Sequence, residues 1–151
     1  MRFLGIDYGR RRIGLALSDA TGLLARPWKT ITREGTPQQV AAAIGREVAA
    51  LRAEEDGLGT VVVGWPRRLS GEVNEQTRAV EAVVAHLRNA VDVPVVLEDE
   101  RLTSWEADDI LSAREPDWRK RKPLLDAMAA AVILQNHLDA LPRSPIEDMD
   151  T

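Results

Sequence analysis

Apolar positions at the start of the chain follow a short period. Residues 2–8 read as a strand ending at Gly9, and residues 12–18 as a second, with Ile13, Leu15 and Leu17 on alternate positions. Only about three residues separate them, which predicts a hairpin. Thr21-Gly22 signals a turn, and residues 23–32 form a third extended segment in which Pro27 suits an edge strand. The period then changes. Thr36-Pro37 supplies an N-cap followed by proline at the first helical position. Val40, Ile44, Val48 and Leu51 follow at helical spacing and predict a helix over 37–54. The continuously apolar run 60–64 predicts a strand buried on both faces. After it come a polar loop over 65–71 and a helix over 73–89, with Val80, Val83, Val84 and Leu87 inward. Residues 94–98 are another buried strand. Thr103 and Glu106 form a capping box that opens a helix to about residue 113. Residues 115–122 read as a polar loop, and residues 123–141 as a final alanine-rich helix.

The order is β-β-β-α-β-α-β-α-α. Three strands joined by tight turns pair antiparallel, and the strands separated by helices run parallel through right-handed crossovers. The prediction is a mixed five-stranded α/β sheet with helices on both faces. One domain over 1–141 is expected, followed by a disordered acidic tail over 142–151.

Composition narrows the chemistry. The 151 residues include no cysteine and two histidines, so disulfides and thiolate metal sites are excluded and an ordinary zinc site is disfavoured. A metal would be held by oxygen, which points to Mg²⁺ or Mn²⁺. The apolar start is broken at Asp7, too early for a signal peptide. No run approaches the ~20 apolar residues of a membrane span. A cytoplasmic protein that does not enter membranes is expected. The net charge of -4 counts against a nucleic-acid partner. The basic residues are nevertheless grouped, at Arg10-Arg11-Arg12, Arg67-Arg68 and Arg119-Lys120-Arg121-Lys122, while Glu147, Asp148 and Asp150 lie in the tail. These groups are either solvated loops or a local basic face.

Three places offer carboxylates. Asp7 sits near the end of an apolar strand, where an unpaired buried acid costs several kcal/mol unless a partner such as a metal is present. A simple turn before Gly9 would also account for it. Glu98, Asp99 and Glu100 crowd the end of the last strand. Like charges there raise one another's pKa unless a cation intervenes, although Arg101 is an available counter-ion. Strand alternation turns Asp99 away from Glu98 and Glu100. Asp126 falls in the first turn predicted for the last helix, where the helix dipole favours an acid. Ala127, Ala129, Ala130 and Ala131 would let that helix pack close to the sheet and carry Asp126 toward the strand ends. In an open α/β sheet, ligands sit at the carboxyl ends of the parallel strands. Three acids converging there suit a pair of divalent cations ~4 Å apart acting on a phosphodiester.

Four segments resemble, in order and at family-like spacing, the motifs of the YqgF/RuvX proteins. They are Gly5-Ile6-Asp7-Tyr8-Gly9 with Ile13-Gly14-Leu15-Ala16; Val62-Val63-Gly64-Trp65-Pro66 through Gly71; Asp99-Glu100-Arg101-Leu102-Thr103-Ser104 with Glu106-Ala107; and Asp126-Ala127-Met128-Ala129-Ala130 with Ile133-Leu134-Gln135. The first motif is shared with actin-like ATPases, but those carry two copies of the fold. The resemblance implies a ribonuclease H-like fold with Asp7, Glu100 and Asp126 as metal-binding catalytic acids, favouring Glu100 over Glu98. It also implies hydrolysis of RNA at a two-metal Mg²⁺ or Mn²⁺ site, in processing of the 5′ end of pre-16S rRNA, with pre-ribosomal particles as partners. The alternatives are a Holliday-junction-resolvase-like nuclease acting on branched DNA as a homodimer, and a catalytically weak ribosome-associated RNA-binding module. Where many relatives carry asparagine this chain has Arg67-Arg68, and Trp65 replaces a more usual leucine. Arg10, Arg11, Arg67, Arg68, Arg101, Lys120 and Lys122 are the candidates for gripping phosphate. Trp65 and Trp118 are candidates for stacking on bases. His86 and His137 read as surface or capping residues.

Overall fold

The early strands form because their side chains separate by face. In β1 (Arg2–Tyr8), Leu4, Ile6 and Tyr8 enter one apolar cluster, while Phe3 packs against another on the opposite side. β2 (Arg12–Ser18) pairs with β1 antiparallel, and the hairpin closes through the Gly9 N–H donating to the Arg12 carbonyl at 3.0 Å. β3 (Ala25–Thr32) pairs antiparallel with β2 and lies at the sheet edge. Its register slips where Leu15 faces Lys29 but Ala16 faces Pro27. An edge position and a bulge are where a residue without an N–H is tolerated. β4 (Leu58–Trp65) adds parallel to β1, and β5 (Val95–Asp99) parallel to β4. The strand order is β3-β2-β1-β4-β5. This is the mixed five-stranded sheet that the order of elements predicts. The protein is known here from a computed structural model, which describes residues 1–65, 75–99, 109, 112–113 and 115–142, the side chains of residues 118, 122 and 123 excepted.

Helices α1 (Pro37–Ala53) and α2 (Glu75–Ala90) cover one face. The start of α1 is fixed by Thr36, whose hydroxyl accepts from the Gln39 N–H while the Gln39 side chain accepts from the Thr36 N–H. This reciprocal pair satisfies two donors that a helix start otherwise leaves open. At its other end, Arg2 donates to the carbonyls of Gly57 and Leu51 and pairs with Glu54 at 3.2 Å, anchoring the start of β1 to the end of α1.

Helix α3 (Trp118–Ala140) covers the opposite face. It begins five residues before the position the sequence suggests. Asp117 is the N-cap, its carboxylate accepting from the Arg119 N–H at 3.0 Å, and this cap outweighs the proline signal at residue 123. Residues 118–122 are therefore helical and not a loop, and Asp126 lies in the third turn of the helix. Of the helix expected over 103–113, residues 109, 112 and 113 are helical, and residues 103–108, 110 and 111 lie outside the described residues, as do residues 143–151 of the expected tail. Among the described residues no helix is long and apolar enough to cross a membrane.

Candidate active site at the carboxyl ends of the strands

Facing residues of an antiparallel pair share a side of the sheet. Gly5 faces Ala16 and Asp7 faces Gly14. Ala16 lies in the α3 cluster, so Phe3, Gly5 and Asp7 all point toward α3. The glycines set how closely the helix approaches. A Cβ on Gly5 would come within 2.9 Å of the Ala130 carbonyl oxygen, and one on Gly14 within 1.9 Å of the Asp126 carbonyl oxygen. At Gly14 the α3 backbone therefore rests directly on β2, and at Gly5 the Ala130 carbonyl and the Leu134 side chain rest directly on β1. Ala127, Ala129, Ala130 and Ala131 are buried along the contact. The close packing anticipated from the alanines is present, and the glycines beneath them are its other half.

This contact brings Asp126 to the end of β1 that carries Asp7. Asp7 is buried, 7% exposed. Asp126 is aligned over Gly14, the cross-strand neighbour of Asp7. Its Oδ1 lies 3.8 Å from where a Cβ of Gly9 would stand, two residues beyond Asp7 and just past the end of β1. Its other oxygen, Oδ2, accepts from Arg12 Nε at 3.0 Å. Burial pushes the Asp126 carboxyl above the usual carboxylate range, and the Arg12 guanidinium opposes that rise without cancelling it. Among the described residues, no three Asp, Glu or His side chains form a metal-binding group. Glu100, the third acid implied by the family resemblance, lies outside the described residues, as do Arg67, Arg68 and Arg101. The side chain of Lys122 does too. The donors among the described residues, two carboxylates, fit a hard divalent cation.

The other two acids of the last strand are accounted for differently. Glu98 faces α3 and its Oε2 lies 3.0 Å from His137 Nδ1. His137 is thus a half-buried pairing residue, not a surface one, with its ring tilted against Phe3 at 6.2 Å between centroids. This pairing gives Glu98 a structural role. Asp99 is exposed and stands beside Trp65 in the sheet register. His86 is exposed, as expected.

Trp65 and Trp118, the candidates for stacking on bases, lie in regular elements and not in the polar loops expected for them. Trp65 is the last residue of β4 and packs against the α1–α2 cluster, and Trp118 opens α3. Apolar contact was available to Trp65 because β4 runs one residue further than the apolar run 60–64 suggests. Arg10 and Arg11 are exposed on the β1–β2 turn, and Lys120 is exposed in the first turn of α3.

Three further residues reach the strand end without having been singled out by the sequence. Arg12 stood out only as one of three arginines in a row. Arg33 has its guanidinium carbon 4.2 Å from the Tyr8 ring centre, and its Nη1 donates to the Gly9 carbonyl at 3.1 Å. Gln76 donates from Nε2 to the Tyr8 carbonyl. Both carbonyls at the exit of β1 are thus held by side chains from elsewhere. Burial raises the pKa of the Tyr8 hydroxyl, with Arg33 opposing. Neither Arg33 nor Gln76 carries a local signal, because each acts across more than twenty residues of chain.

Comparison with known proteins agrees with this layout. The family model RuvX, described as Holliday junction resolvase, matches residues 1–140. A protein of Geobacillus kaustophilus named "Putative pre-16S rRNA nuclease" is 39% identical over 142 residues, covering 93% of this chain and 99% of that protein. Among solved structures, Thermus thermophilus RuvC superposes with a TM-score of 0.55 at 18% identity, covering 93% of this chain and 95% of that one. The same protein in complex with a Holliday junction substrate gives 0.51 at 20% identity, covering 93% and 94%. These likenesses give the chain the ribonuclease H-like fold of RuvC, and the match along nearly its whole length shows that the chain belongs to the RuvX family.

Proposed function

We propose that this protein is a divalent-metal-dependent nuclease that hydrolyses phosphodiester bonds in RNA, acting in the cytoplasm on the 5′ end of a pre-16S rRNA carried by pre-ribosomal particles. The observation that carries the reading is the seating of α3 on Gly14, which brings Asp126 beside the β1 strand end where Asp7 is buried. The relatives' name supplies the RNA substrate, and the family's description the phosphodiester chemistry.

Asp7, Asp126 and Glu100 would hold Mg²⁺ or Mn²⁺, as the family resemblance implies. When bound, such ions activate a water and neutralise charge on the scissile phosphate and the leaving oxygen. The chain's own residues set the conditions. Arg12 holds Oδ2 of Asp126 and favours the ionised carboxylate against its burial, leaving Oδ1 turned toward the Gly9 side. The α3 contact fixes that carboxylate against rigid strands, which is how a small positional error is avoided. A water attack of this kind leaves a 5′-phosphate and a 3′-hydroxyl.

The test is cleavage with Mg²⁺ or Mn²⁺ of a labelled rRNA precursor, a single-stranded RNA and a four-way DNA junction. Asp7→Asn is expected to lose at least about a hundredfold in rate. Equal cleavage by the variant would refute the site. Absence of metal-dependent cleavage would point to a ribosome-associated RNA-binding module. Cleavage of the junction alone would establish the second reading, which the family's description favours. In that reading a symmetric homodimer would present two sites to one branched DNA.

A further inference from the structure

The side of the strand end away from Asp126 carries a groove of about 500 Å³ lined by Arg10, Arg33, Glu75, Gln76 and Ala79. Four elements converge there: the β1–β2 turn, the segment after β3, the end of β1 and the start of α2. Arg33 is not a loose surface arginine. Its guanidinium is stacked on Tyr8, its Nη1 is tied to the Gly9 carbonyl, and its backbone N–H donates to the Arg11 carbonyl at 3.0 Å. A guanidinium has five N–H donors in a fixed plane, and among the described residues Arg33 spends one direction on Gly9. Stacking and the carbonyl bond fix that plane in advance, which lowers the ordering cost of gripping an anion. Arg10 is exposed on the same groove. Gly9 joins this groove to the acids, because Arg33 bonds its carbonyl while Asp126 approaches its α-carbon side.

We propose that Arg33 and Arg10 form a binding subsite for the sugar–phosphate backbone of the substrate strand, on the α2 side of the strand end, as the strand crosses Gly9 toward Asp7 and Asp126. The proposal rests on the nuclease reading for the identity of the strand. It makes Glu75, which lines the same groove, an opposing charge. Like charge facing phosphate weakens binding, so Glu75 and the two arginines must act with opposite signs. It also explains how a protein of net charge -4 handles a polyanion: the positive charge is local and held in place.

Binding is read by fluorescence anisotropy of a labelled single-stranded RNA in EDTA, where no cleavage occurs, over a series of salt concentrations. Arg33→Gln and Arg10→Gln are each expected to weaken Kd by roughly threefold to tenfold and to flatten the salt slope by about 0.7 for each phosphate that is no longer neutralised. Arg33→Lys, which keeps the charge but not the planar fork, is expected to recover the slope and only part of the affinity. Glu75→Gln is expected to tighten binding. Arg46→Gln, the same charge change on the exposed side of α1, is expected to leave Kd within about twofold of wild type. Thermal melts of each variant separate impaired binding from impaired folding. Groove variants that bind with the wild-type Kd and slope, or only as the Arg46 control does, would overturn the subsite, as would a weakening by Glu75→Gln. Wild type that binds RNA through this groove but cleaves nothing with metal would sink the nuclease reading and leave the subsite standing. Wild type that cleaves while the groove variants bind normally would do the reverse.

Discussion

The two faces of the sheet are built from different materials. Toward α1 and α2 the sheet presents Leu4, Ile6, Ile13, Leu15, Val61 and Val63, which meet Ile44, Val48, Leu51, Val80, Val83 and Leu87 in an aliphatic layer a full side chain thick on each side. Toward α3 it presents Gly5, Gly14, Ala16 and Val62 beside Phe3 and Val96, and the helix answers with Ala129, Ala130 and Ala131 among Met128, Ile133, Leu134 and Leu138. The first face is organised for burial of apolar area. At Gly5 and Gly14 the second gives up apolar area so that two backbones can approach. The difference separates stability from placement: the thick layer holds the domain together, and the thin one carries the Asp126 carboxylate to the strand ends.

The largest expected effect breaks the thick layer. Leu87 is fully buried in α2, and Leu87→Ala removes most of its side chain and leaves a cavity. A loss of about 2–5 kcal/mol is expected, which lowers Tm by roughly 4–20 °C at the size of this domain. Cleavage per folded molecule, measured well below the new Tm, should stay within about twofold of wild type. A deeper loss of turnover in the folded protein would mean that the thick face also positions the site.

Gly14→Ala tests the thin face. The added Cβ would stand 1.9 Å from the Asp126 carbonyl, so helix or strand must shift. Overpacking of this kind costs about 1–3 kcal/mol, a smaller loss of stability than at Leu87. On the proposed function turnover should nevertheless fall roughly 10- to 100-fold, because displacing the Asp126 carboxylate by about 1 Å would cost that much. A melt and a rate constant on the same two variants therefore give opposite rankings. Parallel rankings would remove the distinction between the faces.

The thick face was legible in the sequence and the thin one only in part. Aliphatic residues at periods of two and about 3.6 announce strands and helices directly, and Val40, Ile44, Val48 and Leu51 are buried where the spacing puts them. Small residues announce no partner. The alanines after Asp126 suggested a close-packed helix, yet Gly5 and Gly14 as its seat required the register of β1 against β2. Asp7 and Asp126 were readable as candidates because charged residues interrupt apolar segments. Arg33 and Gln76 were not, since their importance arises from where the chain returns in space. Helix boundaries failed where two local rules competed, as when the Asp117 cap prevailed over Pro123. Glu98 and His137 looked unrelated at a separation of 39 residues and form one pair.

The smallest expected effects concern two aspartates on opposite sides of this division of labour. Asp19, in the β2–β3 turn, accepts from the Thr21 hydroxyl and from the Leu23 and Leu24 N–H groups, which lower its pKa to about 2. Its folded value lies below the unfolded 3.8, so the stability it contributes is full above that value and is lost as pH falls toward 2. Asp126 has the opposite sign. Burial raises its folded pKa, so no cost is felt while both states are protonated. The cost grows as pH rises from 3.8 through the folded value and is complete above it. Thermal melts of the metal-free protein across this range should show it. Asp19→Asn is expected to lessen the loss of stability at acid pH. Asp126→Asn is expected to melt above wild type at pH 7 and to converge with it below about pH 4, even though it gives up the pairing with Arg12, whose side chain is 38% exposed and can be solvated instead. An Asp126→Asn protein less stable than wild type at pH 7 would show that the Arg12 pair outweighs burial. Asp126 would then be a fold-holding acid like Asp19, and the thin face would lose its claim to have sacrificed stability for placement.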